Sequence, residues 1–202
     1  HKPLSTGATI GILGGGQLGR MLSVAAARLG FRSHIFEPGI GCPASHVADQ
    51  LTTASYTDTD AMQRFAETVD VITYEFENIP TSALDVLEQV ATIRPGREAL
   101  RISQDRLTEK DFLNSLGLKT APYAAIDDAP ALGAALNAFG TAAILKTRRF
   151  GYDGKGQVRL QPDSDPEAAI RAVVLKQLVL LLPPRPKAVP LVIPMPLAAM
   201  PM

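Results

Sequence analysis

Residues 142–157 read Ala142-Ala143-Ile144-Leu145-Lys146-Thr147-Arg148-Arg149-Phe150-Gly151-Tyr152-Asp153-Gly154-Lys155-Gly156-Gln157. An apolar run with the length of a buried strand ends in Lys146. A basic turn follows, and then Gly151, Gly154 and Gly156 with a second lysine, Lys155, among them. Lysines and bare backbone N–H groups in this arrangement suit a polyphosphate. The order of the parts decides between nucleotide-binding folds. A Walker A loop needs Gly-Lys-Ser/Thr, so that a hydroxyl reaches magnesium, but Gly154-Lys155 is followed by Gly156. A protein kinase places its glycines before the strand lysine, whereas Lys146 precedes them here. What survives is strand, lysine, glycine loop, strand: a hairpin-like flap able to close over a nucleotide. The alternative is an ordinary glycine-rich hairpin with exposed lysines.

Working outward, the N-terminal part alternates strand and helix. Thr9 to Leu13 is expected as a buried strand ended by Gly14-Gly15-Gly16. Gln17 to Leu29 carries Leu18, Met21, Leu22, Ala25 and Leu29 at helical spacing, an apolar stripe, with Gly30 as a C-terminal stop. Strands are expected over Ser33–Phe36, Val69–Tyr74 and Ala91–Ile93, with helices from Thr59 and Ser82 and a loop over residues 37–49. Such alternation predicts a parallel sheet with helices on its faces. Farther on, helices are expected over Arg106–Leu116, Ala131–Phe139 and from Pro166 to about Lys176, and strands over Tyr123–Ile126, Ala142–Lys146 and Gln157–Leu160. The change of character puts a boundary near residues 95–120.

Gly14-x-Gly16-x-x-Gly19 follows a strand and opens a helix, and Glu37 ends the next strand. This is the spacing of a dinucleotide fingerprint, in which helix N–H groups hold phosphate and a carboxylate holds ribose hydroxyls. NAD(P), another phosphorylated ligand and a structural tight turn all remain open on that spacing. Glu75 to Asn78 lie at the carboxyl end of a further strand, where open parallel sheets bind ligands. Glu75 reads as functional and Glu77 as a solvated loop charge.

The chain has 202 residues and balances 20 basic against 20 acidic side chains. No net field attracts nucleic acid or an anionic membrane, so neither is an expected partner and a small molecule is. Cys42 is the sole cysteine, which excludes an intrachain disulfide framework and fits a cytoplasmic location. Cys42, His34 and His46 have no ligand or nucleophile spacing and read as structural. Residues 177–202 hold seven of the 16 prolines and no Asp, Glu or Gly. Prolines at this density forbid a continuous helix or central strand, so the stretch is expected to be foreign to the fold.

Gly14-Gly15-Gly16-Gln17-Leu18-Gly19-Arg20-Met21-Leu22, Tyr74-Glu75-Phe76-Glu77-Asn78-Ile79-Pro80, Asp105-Arg106-Leu107-Thr108-Glu109-Lys110 and Phe150 to Gln157 occur in one order. Together they resemble the 5-(carboxyamino)imidazole ribonucleotide synthase family, the ATPase subunits of phosphoribosylaminoimidazole carboxylase, within the ATP-grasp superfamily. The likeness runs from residue 9 to about 175. It implies an α/β chain with a Rossmann-like parallel-sheet domain (pre-ATP-grasp) over 1–100. The first part of an ATP-grasp α+β domain follows over 101–176, with the proline-rich 177–202 outside the fold.

The resemblance further implies a carbon–nitrogen ligase of purine biosynthesis. ATP would phosphorylate bicarbonate to carboxyphosphate, and the amine of aminoimidazole ribonucleotide would capture the carboxyl group, with Mg2+ bridging the phosphates. It implies ATP contacts from Arg106, Lys146, Gly151, Tyr152, Asp153, Gly154, Lys155, Gly156 and Gln157. Catalytic roles fall to Lys146 and Asp153, and substrate contacts to Gly16, Gln17, Glu75, Tyr152 and Asp153. A homodimer is allowed. No metal ligands are expected in this chain, because residues 177–202 have no carboxylates. These 202 residues alone are therefore expected to be inactive as a ligase. The competing readings are an NAD(P)-dependent oxidoreductase, which leaves residues 146–157 unexplained, and a nucleotide-binding fragment whose Pro183-x-x-Pro186 docks a partner.

Overall fold

The computed structural model describes residues 3–151, 156–173 and 178–182. Two four-stranded sheets organise them. The first is built from β1 (Thr9–Leu13), β2 (Arg32–Phe36), β3 (Gln50–Thr52) and β4 (Val71–Tyr74), in the order β3-β2-β1-β4. All its pairings are parallel. Helix α1 (Gln17–Arg28) crosses from β1 to β2, and α2 (Thr59–Ala66) crosses from β3 to β4. Ala91–Ile93 does not form a full strand; Ile93 makes one parallel bridge to Ile72. The loop expected over 37–49 contains a short 3-10 turn at Pro43–His46, and β3 just beyond it carries no strong periodic signal.

Leu13, Phe36, Met62, Phe65, Ile72, Leu84, Leu87 and Leu100 form the main core on one face of this sheet. They pack it against α2, α3 (Thr81–Leu87) and α4 (Arg97–Ser103). The other face is shallower, with Ile12, Ile35, Cys42 and Ala44. Helix α1 forms as its spacing predicts, but its apolar stripe is not the face that packs. It buries Gly19, Ser23 and Ala26. Leu18, Met21, Leu22, Val24 and Leu29 are exposed, Met21 by 58% and Leu29 by 71%. The small face wins because it lets the helix backbone approach the sheet: a Cβ on Gly19 would stand 2.5 Å from the carbonyl oxygen of Gly14.

The second sheet has the order β5-β8-β6-β7, antiparallel throughout, from β5 (Tyr123–Ile126), β6 (Ala143–Thr147), β7 (Gln157–Leu160) and β8 (Leu178–Leu181). Before it runs α5 (Arg106–Ser115); α6 (Ala129–Phe139) and α7 (Pro166–Ala172) pack on it through Leu132, Leu136, Ala169 and Ile170. Strand β8 corrects the expectation for residues 177–202. Leu178, Val179 and Leu180 are buried between β5 and β6, so the fold runs past residue 176. A short all-apolar run is what an inner strand needs, and the prolines begin only at Pro183. Residues 183–202, including Pro183 and Pro186, lie outside the described residues. Among the described residues no helix is long and apolar enough to cross a membrane.

Candidate functional site

The β6–β7 hairpin forms as the order of its residues predicts, with Lys146 opposite Gln157 in register. Thr147 N–H donates to the Gly156 carbonyl at 2.8 Å, closing the loop. Gly156 has φ +67°, and a Cβ there would lie 2.8 Å from Thr147 Oγ1, so no other residue fits without strain. Tyr152, Asp153, Gly154 and Lys155 lie outside the described residues.

Helix α5 is aimed at this hairpin by one carboxylate. Asp105 caps the helix, accepting from Leu107 N–H at 2.9 Å and Thr108 N–H at 3.2 Å. The same carboxylate takes Arg148 in a two-pronged pair, from Nε at 3.0 Å and Nη2 at 2.7 Å. Burial pushes the Asp105 carboxyl up. The Arg148 hydrogen bond and the Thr108 and Leu107 N–H groups outweigh that and hold it below the usual aspartate range. Arg106 N–H donates to the Arg148 carbonyl at 3.0 Å, and the Arg106 guanidinium donates to the Gly151 carbonyl at 3.0 Å. Arg149 donates to Gln104 Oε1 at 2.8 Å, and Gln104 in turn donates to the Ile79 carbonyl at 2.7 Å.

These links bound a cleft of about 230 Å³ whose lining joins Arg106, Arg148 and Arg149 with Glu77, Gln104 and Glu109. Glu77 therefore faces a cleft rather than open solvent, as its loop position alone had suggested. Lys146 is half-buried on β6. It does not line that cleft; Arg106 ties the two together. Burial lowers the Lys146 ammonium, and the charges of Arg106 and Lys110, one turn apart on α5, lower it further. Among the described residues no ion pair includes Lys146, Arg106 or Lys110. The mutual repulsion of these like charges is relieved when an anion binds. Thr147 Oγ1, next to Lys146, is buried and has no partner among the described residues.

The N–H donors of the glycine loop at the end of β1 meet side-chain carboxylates. Glu75, at the end of β4, accepts from Gly16 N–H at 2.7 Å and from Gly19 N–H. Glu37, at the end of β2, accepts from Gly15 N–H at 2.7 Å and Gly39 N–H at 3.0 Å. Two side-chain carboxylates thus occupy the donors that a pyrophosphate would need, and Glu37 is not free as a ribose ligand of the dinucleotide kind. Gly14 has φ +101°, and a Cβ on it would meet Glu75 at 2.5 Å. The Tyr56 hydroxyl is buried and has no hydrogen-bond partner among the described residues. Burial pushes its pKa up, and Glu37, Glu75 and Cys42 push it further. Gln17 is exposed at the first position of α1. His34 proves structural: its ring nitrogens bond Thr68 Oγ1 and Thr52 Oγ1, each at 2.8 Å, and burial lowers its pKa.

Two family profiles match in tandem: a ribonucleotide synthetase preATP-grasp domain over residues 7–104 and an ATP-grasp domain over residues 111–182. The N5-carboxyaminoimidazole ribonucleotide synthase of Brucella melitensis is 57% identical over 157 residues, 78% of this chain and 43% of that protein. The chain belongs to the N5-carboxyaminoimidazole ribonucleotide synthase family. The Staphylococcus aureus N5-carboxyaminoimidazole synthetase complexed with ADP is similar in structure, with a TM-score of 0.80 and 38% identity, covering 88% of this chain and 48% of that one. The Aspergillus clavatus synthase in complex with ADP and 5-aminoimidazole ribonucleotide has a TM-score of 0.74 and 28% identity, covering 87% of this chain and 46% of that one. The chain thus spans about half the length of the synthases it matches.

Proposed function

We propose that these residues form the substrate crevice and part of the ATP site of an enzyme that carboxylates aminoimidazole ribonucleotide with ATP and bicarbonate. The observation that carries this reading is the group of Lys146, Arg106 and Lys110 beside the β6–β7 hairpin, none of which is in an ion pair among the described residues. Its chemistry fits a polyphosphate, and synthases of this family have been solved with ADP and with ATP. Lys146, on a strand, holds phosphate oxygens in a fixed place. Arg106 couples them to the hairpin through the Gly151 carbonyl. Tyr152, Asp153, Gly154 and Lys155 take the further ATP contacts in this reading, and Tyr152 and Asp153 the contacts to the ribonucleotide. Gly151, Gly156 and Gln157 flank that loop. The hairpin closes to keep water from carboxyphosphate.

The ribonucleotide takes the crevice of Gly16, Gln17 and Glu75, where the carboxylate oxygens accept from hydroxyl or amine groups. Magnesium, when bound with ATP, would neutralise charge developing on the phosphates. Among the described residues no cluster of three or more His, Cys, Asp or Glu could hold a metal ion, so no ligand is assigned to it here.

A hybrid tests the reading. Residues 7–182 of this chain replace their counterparts in the Brucella melitensis synthase. ADP release that depends on both bicarbonate and aminoimidazole ribonucleotide is expected. A folded hybrid whose ATP turnover ignores the ribonucleotide would overturn it.

A further inference from the structure

The fingerprint glycines end on a carboxylate that belongs to the protein. Glu75 reaches from β4 across the top of the sheet to α1, and its two oxygens take the N–H groups of Gly16 and Gly19. A free helix N-terminus favours an anion because its first N–H groups lack partners and carry the positive end of the dipole. Here that anion is built in. The fit is tight: a Cβ on Gly16 would lie 2.7 Å from Glu75 Oε1, and one on Gly19 would lie 3.1 Å from Oε2. Gly15 is closed in the same way, by Glu37 on its N–H and by Cys42, whose sulfur a Cβ would meet at 2.4 Å.

We propose that Glu75 is the specificity-determining residue of this loop, an internal anion that shuts the N-terminus of α1 to phosphate and to dinucleotides. An incoming phosphate would have to displace a tethered carboxylate that already makes both hydrogen bonds, and it would meet the negative charge of Glu37 beside it. The loop keeps the sequence of a phosphate cradle, while the crevice above it accepts hydrogen-bond donors. The phosphates of any bound nucleotide are then left to the cations at α5 and β6.

Selective labelling of glycine amides with 15N in the 202-residue chain gives a local readout that phosphate binding elsewhere does not confuse. Inorganic phosphate should leave the Gly16 and Gly19 signals of the unaltered protein unmoved. In Glu75→Ala the same titration should shift both signals saturably, since the two N–H groups are then free. Glu75→Gln retains one acceptor oxygen without the charge and covers the case in which the alanine variant does not fold; it should respond more weakly, Gly19 or Gly16 moving alone. Saturable movement of both signals in the unaltered protein would overturn the proposal. So would a folded Glu75→Ala protein whose loop ignores phosphate. Neither arm involves the ribonucleotide or carboxylation, so the result stands apart from the proposed reaction.

Discussion

Lys146 is held on β6 in a place that suits an anion better than it suits the fold alone. Its ammonium is desolvated and faces Arg106 and Lys110, so the folded state binds its proton less tightly than the unfolded chain does. The sign follows. Relative to Lys146→Met, the unaltered protein is destabilised at neutral pH and gains stability as pH rises from the lowered lysine value towards the ordinary one. Urea unfolding from pH 7 to pH 10 should show Lys146→Met at least as stable at pH 7, with its advantage shrinking upward. Asp105 has the opposite sign. Its folded value lies below the usual aspartate value near 3.9, so its contribution is present at neutral pH and is lost as pH falls through that lower value. Asp105→Ala should cost about 1–2 kcal/mol at pH 7 through the lost cap alone, and the difference should close in acid.

At the scale of elements, α1 is the informative case. Periodicity marks an amphipathic helix from the stripe of Leu18, Met21, Leu22, Ala25 and Leu29, but it does not say which stripe packs. Gly19, Ser23 and Ala26 pack, because close approach to the sheet needs small side chains. Ala26→Leu should therefore destabilise by about 1–3 kcal/mol through overpacking, while Met21→Ala should stay within about 0.5 kcal/mol. Chemical denaturation of the two variants checks both. The β6–β7 hairpin was legible because lysine, glycines and a second strand come in an order that few folds use. Strand β3, at Gln50–Thr52, was not, being three residues long with no apolar period. Strand β8 was obscured by its neighbours: five apolar residues beside a run of prolines resemble a linker until β5 and β6 take them in between them. The glycine loop was legible as a tight turn against a helix, but not in its occupancy, since Glu75 lies 56 residues beyond Gly19 in the chain and only the sheet order brings them together.

The whole molecule separates two tasks. One sheet ends in a crevice walled by Glu37 and Glu75, which carry negative charge. The other presents Lys146 towards Arg106 and Lys110, which carry positive charge. With formal charge balanced over the chain, steering is expected to be local, with donors favoured at the first site and polyphosphate at the second. A Rossmann-like fold with a fingerprint loop would ordinarily send a dinucleotide to the first. Its donors are already taken, so NADH should not stabilise this protein thermally, whereas ATP should.

The cations at α5 and β6 are expected to hold a nucleoside triphosphate. Calorimetric titration of ATP into the unaltered protein and into Lys146→Met measures this most directly. Removing a charge-assisted contact worth about 1.5–3 kcal/mol should weaken ATP binding roughly ten- to a hundredfold, with the fold intact and NADH giving no heat in either protein. Equal ATP affinity in the two proteins, or NADH binding that matches ATP, would contradict the account.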